Sequence, residues 1–162
     1  MYQINNLPQI NEYMDEVVRM SLENVRNHGG PFAALVVQNG RIIGRGANLV
    51  TQTNDPTAHA EIVALRNAAQ AISDFKLTGC DLITSCYPCP MCLGAIYWSR
   101  IDRVFYANTA QDAARAGFDD EILYREYTRP DSDKTLPLIR IDHPKAAKAM
   151  DAWIKLEDKI PY

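Results

Sequence analysis

Apolar residues recur at helical spacing over residues 10 to 27, where Ile10, Met14, Val17, Val18, Ser21 and Val25 fall together with Glu and Arg between them. Gly29 and Gly30 stop that pattern, as glycines past a helix end do. Phe32 to Val37 is apolar and reads as a strand, Asn39-Gly40 is a two-residue hairpin signal, and Arg41 to Arg45 is the return strand. Asp55-Pro56-Thr57 predicts a helix start, with Asp55 as cap and proline in the first turn. That helix runs through Glu61, Ile62, Ala64, Leu65 and Ala68 to about Ile72. Asp81 to Ser85 predicts a short strand, the Pro- and Cys-rich segment after it leads into a helix from about Pro90 to Ser99, and Val104 to Ala107 predicts another buried strand. Beyond Asn108 the pattern is helical with breaks at Gly117 and Pro130, followed by a strand around Leu138 to Ile141 and an amphipathic helix over roughly Ala146 to Asp158. There is no internal repeat, low-complexity tract or linker. The order of elements predicts a layered α/β fold with a mixed sheet, built as one domain over residues 1–162.

Composition fits that expectation. The chain has 162 residues, 47% hydrophobic and 23% charged, enough for one buried core. Seventeen Lys and Arg face 20 Asp and Glu, for a formal charge of −3. Such a balance matches the phosphate backbone of nucleic acid poorly, so no nucleic-acid partner is expected. No apolar run approaches the roughly 20 residues of a membrane span, and Met1 to Asn5 lacks the charged head and apolar stretch of a secretory signal. The expected compartment is the cytoplasm, where thiols stay reduced. That changes how Cys80, Cys86, Cys89 and Cys92 are read: a reduced cluster points to metal or catalysis rather than disulfides.

Two short strings carry the chemistry: His59-Ala60-Glu61 and Pro88-Cys89-Pro90-Met91-Cys92, each at the start of a predicted helix. Cys89 and Cys92 are three apart, so in a first helical turn both sulfurs point to one side. Free N–H groups and the dipole at a helix start favour the thiolate, the form that binds metal. With His59 they make an imidazole and two thiolates, a set suited to tetrahedral zinc with its fourth position left for water. Glu61, two residues from a ligand, is placed to exchange protons with that water. A zinc-ligating H-x-E with P-C-x-x-C is the pattern of zinc-dependent base deaminases. Other readings stand beside these. Cys86 joined to the three ligands would close a purely structural site, but that leaves Glu61 without a role. Cys86 and Cys80 otherwise read as buried thiols, His28 as a helix C-terminal cation, His143 as a surface turn residue, and Trp153 and Ile154 as core. Asn48 is open between a turn residue after the second strand and a ligand contact.

At these strings the sequence resembles the cytidine-deaminase-like superfamily and, within it, the small bacterial guanine deaminases. The resemblance rests on Gly29-Gly30-Pro31-Phe32-Ala33-Ala34, on Asn54 to Glu61, on Pro88 to Trp98 and on Ala116-Gly117-Phe118-Asp119-Asp120, and it extends to the terminal Tyr162. It implies a three-layer α/β/α sandwich with a mixed five-stranded sheet, and a homodimer that exchanges C-terminal segments. It implies that Asn48 holds the polar edge of a purine, that Phe32, Ala60 and Trp98 line the pocket, and that Asp120 assists proton transfer near the leaving amine. Tyr162 would close the partner's pocket. The reaction implied is zinc-dependent hydrolysis of guanine to xanthine and ammonia, with guanosine, cytosine, a pterin or an aminotriazine as alternative rings. A tRNA adenosine deaminase fits the acidic balance less well, and a non-catalytic zinc scaffold leaves Glu61 unused. One departure bears on the choice of ring: Tyr87 stands where the resembled family usually has Glu.

Overall fold

Strand β1 (Ala33–Gln38) turns alternate side chains toward two different helical layers, as the period of two along a strand requires. In this computed structural model, which describes residues 7–161, Ala33, Leu35 and Val37 pack with Ile83 against Tyr13, Met14, Val17 and Met20 of helix α1 (Leu7–Arg26). Ala34 and Val36 face the other way, onto Ala60, Ala64, Leu65 and Ala68 of a longer helix and Ile96 of a shorter one. The remaining elements are β2 (Arg41–Ala47), α2 (Val50–Thr53), α3 (Ala60–Ile72), β3 (Cys80–Cys86), α4 (Pro90–Trp98), β4 (Arg103–Asn108), α5 (Ala110–Arg115), α6 (Glu121–Thr128) and α7 (Ala147–Lys155). A single 3₁₀ turn covers Asp131–Asp133.

The sheet order is β2-β1-β3-β4. β1 runs antiparallel to both neighbours and β3 runs parallel to β4, so the sheet is mixed. Asn39 and Gly40 both take positive φ, 49° and 74°, the backbone that a tight hairpin of this twist needs. Two glycines of β2 decide how near α3 comes. A methyl group on Gly44 would run into the Ala64 carbonyl, and one on Gly46 into the Ala60 carbonyl. The helix backbone therefore lies directly on the strand, which fixes where the first turn of α3 begins.

Four expectations change. The sheet has four strands among the described residues, not five. Around Leu138 to Ile141 the chain is irregular; the apolar positions there switch phase between Leu138 and Ile139, so no single strand face collects them, and Pro137 lacks a ladder donor. Helix α3 starts at Ala60 rather than just after Asp55, because the Asp55 carboxylate is taken up locally: Thr57 donates to it from its N–H at 2.8 Å and from its hydroxyl at 2.7 Å. Trp153 and Ile154 are exposed rather than core.

The chain divides into two compact units, Met1–Ile122 and Leu123–Tyr162. The first holds the sheet and the two apolar clusters described above. The second contains α7 and most of α6, neither of which buries a side chain. Among the described residues no helix is long and apolar enough to cross a membrane.

Candidate metal centre

His59 and Cys89 occupy equivalent places in the fold. Each is the N-cap of its helix, α3 and α4, with extended backbone at ψ 155° and 166°. The cap position turns each side chain out of its own helix, and Pro90, at the first position of α4, costs that helix no hydrogen bond it would otherwise make. Cys92 follows in the first turn. The result brings His59 Nδ1 to 3.5 Å from Cys89 Sγ and 3.6 Å from Cys92 Sγ. A tetrahedral zinc about 2.3 Å from sulfur and about 2.0 Å from nitrogen needs an N···S edge of about 3.5 Å. Both nitrogen–sulfur edges thus stand at zinc spacing, and the three donors are the metal-capable cluster found among the described residues.

The electrostatics agree with a cation seat. Hydrogen bonds from Cys92 and His59 draw the Cys89 thiol well below the ordinary thiol range. The Cys92 thiol is driven the opposite way, first by sharing one proton with Cys89 and then by burial. His59 is held more basic than usual by its contact with Cys89, against the opposing effect of burial. One negative charge distributed over two buried sulfurs is what a divalent ion relieves, since it favours both thiolates.

Glu61 lies one residue into α3 and is only 6% exposed. The Thr84 hydroxyl donates to its Oε1 at 3.2 Å, and the Cys92 thiol donates to Oε2 at 3.4 Å. Burial raises the affinity of this carboxylate for a proton. Cys86, the candidate fourth ligand of a closed site, is not in the cluster. Its thiol donates to the Thr109 carbonyl at 3.4 Å, and burial pushes it up to about 11.

A cavity of about 410 Å³ opens beside these groups. Its wall includes Phe32, Asn48, Ala60 and Asp120 along with His59, Glu61 and Cys89. The Phe32 ring meets Phe118 edge-on at 4.8 Å. Asn48 is buried, and its Oδ1 accepts from the Val50 N–H at 3.3 Å. Asp120 holds its proton more strongly than usual, through burial first and the negative Cys89 second.

Trp98 does not line this cavity among the described residues. Trp98 is the last residue of α4 and 61% exposed; the buried stripe of that helix is Cys92 and Ile96, which leaves Trp98 on another face. Tyr162 lies outside the described residues. Conversely, His28, with φ 62°, lines the cavity instead of simply ending α1. Tyr87 lines it too, its ring set edge-on to Tyr106 at 5.2 Å. Thr84 was missed, although a signal existed: on β3 it shares the inward phase of Leu82, where a polar residue calls for a partner.

The family model for the cytidine and deoxycytidylate deaminase zinc-binding region matches residues 7–108. The chain is 44% identical over 151 residues to the guanine deaminase of Bacillus subtilis (strain 168), covering 93% of this chain and 97% of that protein. The X-ray structure of guanine deaminase from Bacillus subtilis superposes with a TM-score of 0.91 at 43% identity, over 94% of this chain and 98% of that one. A tRNA-specific adenosine deaminase of Agrobacterium fabrum is 44% identical over 82 residues, 51% of this chain and 53% of that protein.

Proposed function

The chain belongs to the cytidine and deoxycytidylate deaminase zinc-binding family, and from that membership we propose that it hydrolyses guanine to xanthine and ammonia. The observation that carries this reading is a buried carboxylate, Glu61, standing beside a three-donor zinc seat on the wall of one cavity. Near full-length likeness to a guanine deaminase supports the choice of ring.

His59, Cys89 and Cys92 would hold the zinc. When bound, zinc supplies a water activated at neutral pH, its pKa lowered to about 7. Glu61 takes a proton from the attacking water and passes it to the ring nitrogen next to the reacting carbon. A second proton, from Glu61 or from Asp120, leaves with the amine as ammonia. Asn48 engages the polar edge of the base, Phe32 braced by Phe118 packs on the ring, and Ala60 completes the wall. Thr84 orients Glu61. Zinc-loaded protein should release ammonia from guanine, and Glu61→Gln should keep its zinc while losing turnover by orders of magnitude. No ammonia from guanine, or a Glu61→Gln variant of near-normal rate, overturns the reading.

Residues 1–162 act as one deaminase domain in a cytoplasmic homodimer that exchanges its C-terminal segments, with Tyr162 closing the partner's pocket. The unit Leu123–Tyr162 supports this, because Leu136, Ile139 and Ile141 are each at least 70% exposed and α6 and α7 bury nothing. The four free cysteines suit a reducing compartment. A monomer in sedimentation at micromolar concentration contradicts the exchange.

A further inference from the structure

Asn24 sits near the end of α1, is 6% exposed, and does not line the cavity. Its side-chain nitrogen donates twice, to the Gly30 carbonyl at 2.7 Å and to the Asn48 carbonyl at 2.8 Å. Its own backbone carbonyl accepts from the Gly29 N–H at 2.8 Å. A methyl group on Gly29 would collide with the Asn24 carboxamide, so the glycine leaves the space that this amide fills. Asn48 is thereby held from two sides, since its N–H also donates to the Phe32 carbonyl at 3.0 Å.

We infer that Asn24 is a positioning residue for substrate: its one nitrogen clamps Gly30 and Asn48 together and so sets the wall of the cavity that meets the polar edge of the base. The inference rests on the guanine reading above and on the place given there to Asn48. The residue type fits the task. Only a carboxamide puts two N–H donors on one atom of so short a side chain; a serine has one donor, and an ionised aspartate none. Both acceptors are main-chain carbonyls, one of them on a cavity residue, so the clamp shapes the backbone around the base without touching it.

The test is a double-mutant cycle on zinc-loaded protein, read as KM and kcat for guanine. Asn24→Ala is expected to raise KM about tenfold and to leave kcat within about threefold, with zinc content unchanged. Asn24→Ser, which keeps one donor, should fall between the two, and it carries the comparison where the alanine variant fails to fold. In an Asn48→Ala background the loss of Asn24 should add less than about twofold, because the two residues act as one unit. Amide hydrogen exchange should quicken at residues 29–32 and 48–50 and stay slow at 34–36. An unchanged KM, a fall in kcat and zinc content alone, or full additivity overturns the inference. Wild-type protein that releases no ammonia from guanine sinks the functional reading by itself. Asn24 is then judged by exchange, and unaltered protection at 48–50 overturns the clamp.

Discussion

Every buried side chain among the described residues lies between Val17 and Ala113, inside the unit Met1–Ile122, whereas the unit Leu123–Tyr162 buries none. The first unit spends its apolar residues on a sheet covered from both faces, and the three zinc donors stand on helices braced against that sheet. The second has the same kind of residues and leaves them uncovered: Met150, Trp153 and Ile154 recur at helical spacing on α7 and are all exposed. Apolar patterning therefore does not imply burial within one chain. It implies a surface that needs covering.

The contrast breaks most sharply at the donors. Cys89→Ala should lose both stoichiometric zinc, by elemental analysis, and all turnover, while truncation of Tyr162 should leave zinc in place. A metallated Cys89→Ala protein would remove that residue from the ligand set. Next in size is the core. Leu82→Ala, at a fully buried site, should lower unfolding free energy in denaturant by about 2–5 kcal/mol. Leu138→Ala, at a site 57% exposed, should change it by no more than about 0.5 kcal/mol in dilute monomer. A large effect of Leu138→Ala that grows with protein concentration would instead mark coverage by a second copy.

Smaller still is a pH effect on zinc-free protein. Burial raises the Glu61 pKa in the folded state above its unfolded value. Below about pH 4, near the unfolded carboxylate value, the group is protonated in both states and costs nothing. As pH rises past that value the unfolded chain releases the proton more readily, and stability falls. Glu61→Gln should accordingly melt higher than wild type at pH 7 and alike at pH 3.5, if both are stripped of zinc. Equal melting points at pH 7 would remove the desolvation penalty assigned to Glu61.

Much of the first unit was legible beforehand. The hairpin at Asn39-Gly40, the apolar strand after Phe32 and the metal-capable set His59, Cys89 and Cys92 depend on local spacing, which sequence carries directly. The start of α3 was not, since Asp55 had two possible customers for its carboxylate, a helix N-terminus or its own turn, and the turn won. Trp98 ends α4 on an exposed face, and a resemblance at a motif does not say which face of α4 its last residue takes. The strand expected near Leu138 failed because strand pairing depends on a neighbour that local pattern does not supply. Asn24 was invisible for the same reason: the Asn48 carbonyl that it bonds lies 24 residues away.

The missing methyls of Gly44 and Gly46 have a reach beyond the strand that carries them. They let α3 settle onto β2, and α3 delivers His59 and Glu61 at its first turn. Replacing either with alanine forces the helix outward as a rigid rod, tilting an imidazole away from two sulfurs that ride on a different helix. Zinc retention should therefore respond to a lever whose fulcrum contains no donor, and a screen for weakened retention should recover substitutions there as well as at His59, Cys89 and Cys92.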